Sequence, residues 1–232
     1  MPTFQEIYAA HADAYDALVG CEDYEGHLLP ALDGIARLGG ARVVELGAGT
    51  GRLTRLIAPL AKEIRAYDAS AHMLDVARSR LESTGLTNWE LGVADNKRLP
   101  VEDGAADIAI AGWSLGHAVD WFPASWRLEI GAALNEMRRV LRPGGTAITL
   151  ETMTTGSETA APPTEGLAEY YRWLETERGF TAITIRTDYR FASLDEADRL
   201  TRFFFGDELA DRVRRAGRTV LPESTGIWWR TY

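Results

Sequence analysis

The stretch Val43-Val44-Glu45-Leu46-Gly47-Ala48-Gly49-Thr50-Gly51-Arg52 constrains this chain more than any other. Its first apolar residues read as the end of a buried parallel strand, which carries a near-continuous hydrophobic run. A glycine-rich turn follows, and Leu53, Leu56, Ile57 and Leu60 then recur at helical spacing. Glycine allows positive φ and lets a ligand come close to the backbone. A turn from strand to helix also presents free N–H groups at the positive end of the helix dipole. Such a turn suits a nucleotide or a carboxylate, or it simply redirects the chain.

The residues downstream repeat the pattern of a strand ending in a polar group. Ala41–Leu46 is expected as the first strand and Thr50–Leu60 as the first crossover helix. Glu63–Tyr67 reads as a second strand that runs into Asp68, 17 residues after Gly51. An acid at the carboxyl end of the second strand of a doubly wound sheet accepts hydrogen bonds from ribose hydroxyls. It can also cap the next helix, a duty that Ser70 is equally able to take. Trp89–Ala94 reads as a third strand followed by Asp95-Asn96, which also fits an Asx turn. Ala106–Ala111 is a fourth strand leading into Gly112-Trp113-Ser114-Leu115-Gly116-His117. Leu128–Leu141 has a helical apolar face (Ile130, Leu134, Met137, Leu141), stopped by Arg142-Pro143-Gly144-Gly145 before a fifth strand, Thr146–Leu150.

The dinucleotide fingerprint G-x-G-x-x-G/A needs a third small residue where this chain has Arg52. The run E-L-G-A-G-T-G instead resembles the first motif of class I S-adenosylmethionine-dependent methyltransferases. Four further segments resemble that family: Ala12-Asp13-Ala14-Tyr15-Asp16 its A-x-x-Y-D, Asp68 to Leu74 its D-x-S-x-x-M-L, Asp95 to Pro100 its D-A-x-x-L-P, and Leu141 to Gly145 its L-x-P-G-G. The last motif is a helix stop and carries no chemistry. The resemblance covers residues 40 to 151 well, the N-terminal helices loosely and the remainder by topology. It implies S-adenosylmethionine as cofactor and a small-molecule acceptor. Glu45, Gly47, Ala48, Gly49 and Gly51 would then hold the methionine end, with Gly112 and Trp113 beside it. Asp68 would hold the ribose, and Ala69 joins the cofactor set. Met73, Asp95 and Asn96 would face the adenine, and Tyr15 would reach the cofactor from the N-terminal segment.

The fold expected is α/β, a Rossmann-like doubly wound sheet of seven strands. It is mostly parallel with an antiparallel C-terminal strand and helices on both faces. One domain, 1–232, would comprise an N-terminal helical lid (1–39), a cofactor-binding core (40–151), and an acceptor-side insertion with closing strands (152–232). Thr3–Leu18 carries one apolar and aromatic helical face, fitting a lid or a docking helix, and Tyr24–Leu38 reads as a second helix that Pro30 splits or kinks. Beyond Glu151, helices are expected at Glu165–Glu177, Leu194–Phe205 and Leu209–Ala216, with strands at Phe180–Phe191 and Gly226–Tyr232.

His117 is the histidine placed nearest the reacting end. It is a candidate base for an acceptor hydroxyl, or a polar loop residue with no chemical duty. Trp113 and Trp121 are expected to line a pocket, and Tyr170, Tyr171 and Trp173 are candidate acceptor contacts. No pair among the four histidines has metal-ligand spacing, and the single cysteine, Cys21, leaves no cysteine-based zinc site. A formal charge of −9 argues against nucleic acid or an anionic membrane as main partner. Met1–Ala10 lacks a signal-peptide pattern, and the lone thiol fits a reducing cytoplasm. Two rival functions share these features: a protein that binds the same cofactor without catalysis, and an NAD-dependent oxidoreductase.

Overall fold

The chain is described by a computed structural model over residues 3–232. Met1 and Pro2, which open the expected lid, lie outside the described residues. Seven strands form one sheet in the order β3-β2-β1-β4-β5-β9-β6: β1 (Arg42–Leu46), β2 (Glu63–Asp68), β3 (Trp89–Val93), β4 (Ala106–Gly112), β5 (Leu141–Thr155), β6 (Thr181–Arg186) and β9 (Glu223–Thr231). All neighbouring pairs from β3 to β5 are parallel, and β9 runs antiparallel to β5 and β6. The order reverses between β1 and β4, so their carboxyl ends open a crevice.

Alternation along the central strands explains why both faces are covered. On β4, Ala109 and Ala111 join one apolar cluster while Ile108 and Ile110 join the other. The first cluster takes Trp126, Ile130, Leu134 and Met137 from α7 (Trp126–Val140), and Tyr170 and Leu174 from α8 (Glu165–Thr176). The second takes Leu28 and Leu32 from α3 (Leu28–Ile35), and Leu53 and Ile57 from α4 (Arg52–Ile57). The helix after β2, α5 (Ala71–Glu82), is capped by the Ser70 hydroxyl, which accepts from the Met73 N–H at 3.3 Å.

Several elements differ from the expectation. The N-terminal helix is two helices, α1 (Phe4–Ala10) and α2 (Ala12–Val19), because His11 leaves the helical region at φ −130°, ψ 34°. Tyr24–Gly26 is a turn, not helix, because the Asp23 carboxylate accepts from the His27 and Leu28 N–H groups and so starts α3 there. Pro30 falls in the first turn of α3, where its missing N–H has no intrahelical partner to lose. The segment expected as a strand from Phe180 to Phe191 divides at Thr187, whose hydroxyl is 2.7 Å from that of Thr225. Beyond it, β7 (Tyr189–Arg190) pairs with β8 (Val220–Leu221) in a separate small sheet. That sheet packs with α9 (Leu194–Phe205) and α10 (Asp207–Ala216) around Leu18, Phe191, Leu200 and Val213. A further short helix, α6 (His117–Trp121), occupies what reads as loop.

Candidate functional site

One cavity of about 510 Å³ lies at the carboxyl ends of β1, β2, β3 and β4. Its floor is the turn after β1. Gly47 has φ +66°, and a Cβ there would sit 2.4 Å from Cβ of Ser114, so the position demands glycine on two grounds. Glu45 and Thr54 lock the turn from below, the Thr54 hydroxyl donating to the Glu45 carboxyl at 2.6 Å. Burial pushes the Glu45 pKa up to about 8. Thr50 also borders the cavity, and its hydroxyl is buried with no hydrogen-bond partner among the described residues.

Asp68 terminates β2 with its carboxylate turned onto this floor. One oxygen accepts from the Gly49 N–H and the other from the Ser70 N–H, both at 2.8 Å. Burial raises its pKa, and these two N–H groups oppose the rise by stabilising the anion. A carboxylate has about four lone-pair sites, so two remain for a ligand. Asp95, at the end of β3, does form an Asx turn, its carboxylate accepting from the Lys97 N–H at 2.9 Å, and it borders the cavity with Asn96. Trp113, after β4, sits at φ +50°, a strained position for a large residue. Its N–H donates to Leu150 O at 2.7 Å, and the Arg52 guanidinium lies 4.5 Å from its ring centre. Arg52 is in turn paired with the buried Glu22 at 2.6 Å.

Tyr15, Glu45, Gly47, Ala48, Gly49, Asp68, Ala69, Met73, Asp95, Asn96, Gly112, Trp113 and His117 all border this cavity. Gly51 does not. It caps α4 at φ +77° and packs against Ala77, where a Cβ would approach to 3.1 Å. Trp121 borders the cavity as expected. Tyr170, Tyr171 and Trp173 do not, because α8 turns them into the core: Tyr171 donates to Thr152 O at 2.7 Å, and Trp173 packs edge-on against Trp126. The sequence reading missed Tyr8, Thr50 and Ser114 as cavity residues and weighed Arg52 only as bulk. The aromatic face of the N-terminal segment was the one available signal for Tyr8.

His117 opens α6, and its ring stacks on Trp121 at 5.0 Å with an interplanar angle of 11°. Its Nε2 is 2.8 Å from the Tyr8 hydroxyl. Burial lowers its pKa to about 4, so the imidazole is neutral at pH 7 and a weak proton acceptor.

The residues present fit S-adenosylmethionine. A polar floor with a buried, unpartnered Thr50 hydroxyl suits an amino-acid group, the spare lone pairs of Asp68 suit a diol, and the Asp95-Asn96 loop with Met73 suits a purine edge and face. Among the described residues, no group of histidine, cysteine and acidic side chains is arranged to hold a metal, and no helix is long and apolar enough to cross a membrane.

A family model described as a methyltransferase domain matches residues 43–145. A demethylmenaquinone methyltransferase of Lactococcus lactis is 28% identical over 155 residues, covering 64% of this chain and 58% of that protein. A malonyl-[acyl-carrier protein] O-methyltransferase of Yersinia pestis is 31% identical over 150 residues, covering 65% and 50%. The chain thus spans about half the length of the curated relatives it matches. Among solved structures, a SAM-dependent methyltransferase from Aquifex aeolicus superposes with a TM-score of 0.61 at 15% identity, covering 95% of this chain and 96% of that one. At that identity the likeness speaks for the fold.

Proposed function

We propose that this chain, which carries a methyltransferase domain of the class I, S-adenosylmethionine-dependent family, transfers a methyl group to a small-molecule acceptor. When bound, S-adenosylmethionine supplies a methyl group already activated by its sulfonium sulfur, open to in-line displacement by an acceptor nucleophile. The protein's own contribution is placement. The Gly47–Gly49 turn, Glu45 and the Thr50 hydroxyl hold the amino-acid end, Asp68 with Ala69 the ribose, and Met73, Asp95 and Asn96 the adenine. Tyr15, Gly112 and Trp113 close over the reacting end. Holding two reactants in a near-attack arrangement lowers a barrier by up to about 7–11 kcal/mol in the best model systems. The acceptor enters beside Tyr8, His117 and Trp121, the part of the cavity that the cofactor residues leave free.

The observation that carries this reading is the convergence of four strand ends on one cavity, each delivering a group matched to a different part of the cofactor. Residues 1–232 act as one domain in this reading. Small acceptors accord with the size of the cavity, about 510 Å³, and with the relative named a demethylmenaquinone methyltransferase.

Thermal unfolding with S-adenosylmethionine, S-adenosylhomocysteine and NAD tests it. A ligand at about 100 times its Kd adds roughly 2.7 kcal/mol, or about 5–10 °C for a domain of this size. Both sulfur ligands are expected to shift the wild type and NAD to leave it unmoved. Asp68→Ala has a lowered starting Tm, because Asp68 also ties down the Gly49 and Ser70 N–H groups, so only its ligand-induced increment counts. A shift with NAD alone, or with none of the three, overturns the reading.

A further inference from the structure

Tyr8 and His117 form a polar pair at one end of the cavity that the cofactor-holding residues do not use. They come from elements far apart in the chain, α1 and α6, and meet at 2.8 Å. Burial, with Tyr15, Asp68 and Glu151 adding to it, drives the Tyr8 pKa well above that of a free phenol, so its hydroxyl keeps its proton. Among the described residues the only acceptor for that proton is Nε2 of His117. A neutral imidazole carries one N–H, so when Nε2 accepts, the hydrogen resides on Nδ1. Nδ1 takes no partner among the described residues. The imidazole plane is fixed by Trp121 stacked on one face, with Phe4 tilted at 5.3 Å and Tyr8 edge-on at 5.4 Å.

We propose that Tyr8 sets the tautomer of His117 so that Nδ1–H is a hydrogen-bond donor to the acceptor molecule, and that this acceptor is a planar, uncharged aromatic bearing a hydroxyl or carbonyl oxygen. The inference rests on the methyl-transfer reading above and assigns the acceptor end of the same cavity. Trp121 and Phe122 border that end and remain 39% and 45% exposed, two large flat surfaces left open for a ring to cover. No charged group acts on His117, and the acids nearest its partner Tyr8 are already engaged, Asp68 by the Gly49 and Ser70 N–H groups and Glu151 by the Gly116 N–H. An anionic or cationic acceptor would therefore lose its hydration there without a counter-charge. In this proposal His117 is a hydrogen-bond donor to the acceptor, where the sequence offered a candidate base or a polar loop residue with no chemical duty.

Two measurements test this on the full chain. Nitrogen-15 NMR of the imidazoles, with the His117 signals identified by their loss in His117→Gln, should show the Nδ1–H tautomer in the wild type. Tyr8→Phe should move the ring toward the Nε2–H form, an effect that a merely structural contact would not have. Calorimetry with S-adenosylhomocysteine-saturated protein then compares p-cresol with toluene, 4-methylcyclohexanol, benzoate and benzylamine. One hydrogen bond predicts about fivefold tighter binding of p-cresol than of toluene. Tyr8→Phe should erase that margin while leaving S-adenosylhomocysteine affinity within about twofold, since the ring that packs edge-on against Tyr15 is kept and only the hydroxyl is removed. A wild-type Nε2–H tautomer, a p-cresol margin absent or unchanged by Tyr8→Phe, or equal binding of benzoate, benzylamine or the non-planar alcohol overturns the proposal. If S-adenosylhomocysteine itself does not bind the wild type, the methyl-transfer reading falls and this inference with it. If it binds and p-cresol shows no preference, the inference alone falls.

Discussion

Glu45 shows how a single buried acid ties stability to the binding floor. The residue is 2% exposed, hydrogen-bonded by Thr54, and titrates at about 8 against 4.5 for a free side chain. Between those values the folded chain holds a proton that the unfolded chain has released. Stability therefore falls as pH rises from 4.5 toward 8 and levels off above. Glu45→Gln removes this one titration and keeps the size of the side chain. The variant and the wild type should melt within a degree or two of each other near pH 5, and the gap should widen in the variant's favour by several degrees at pH 8.5. Glu151, also raised to about 8 by burial, titrates equally in both proteins and cancels in the comparison. A gap that stays the same at the two pH values would show that Glu45 is ionised in the fold.

At the scale of elements, α2 is held to the Rossmann-like core by a carboxylate rather than by its apolar face alone. Asp16, 6% exposed at its side chain, accepts from Arg55 of α4 at 3.1 Å and from Arg80 of α5 at 2.8 Å. Both arginines are partly solvated, at 28% and 48%, so water takes over some of the lost bonding when the acid is removed. Asp16→Ala is expected to cost about 1–3 kcal/mol. Amide exchange should accelerate in α1 and α2 and stay unchanged in β1, β4 and β5. Uniform acceleration across the sheet would refute a local anchor. The aspartate was visible in the A-x-x-Y-D segment, but its two arginines lie 39 and 64 residues away and no local pattern joins them. The same contrast holds along the rest of the chain. β1 and β4 were legible because buried parallel strands are largely apolar, β2 because Ile64, Ala66 and Tyr67 run into Asp68, and α9 because its apolar residues keep helical spacing. The start of α3 and the division at Thr187 were not, since each follows from a side-chain hydrogen bond, made by Asp23 in the one case and reaching Thr225 in the other. In the candidate site, strand-end groups were legible from their position after apolar runs. Tyr8 was hidden because one aromatic on an amphipathic face looks like any other. Tyr170, Tyr171 and Trp173 misled for the same reason.

For the whole molecule, the N-terminal segment that roofs the cavity is held in place by a helix from near the other end of the chain. Tyr8 and Tyr15, from α1 and α2, border it from above. They are held there by Phe204 of α9, whose ring lies 5.3 Å from Phe4 and 5.8 Å from Tyr15. Behind that contact, Leu18 of α2 is packed with Tyr189, Phe191, Leu200, Val213 and Leu221 in an apolar cluster separate from the two that flank the sheet. A ligand that touches Tyr15 therefore binds in full only when this cluster is intact, because an unclamped roof adds a closure cost to binding. Leu200, 1% exposed, does not border the cavity, and Leu200→Ala should cost about 2–5 kcal/mol through the void it leaves. It is also expected to weaken S-adenosylhomocysteine binding several-fold. Leu174→Ala deletes the same atoms from an equally buried place on α8, away from the roof, and is expected to lower Tm comparably while leaving the affinity near wild type. Titration calorimetry of the two variants below their melting temperatures separates the cases. Equal affinities would mean that the C-terminal cluster supports the fold and has no part in closing the site.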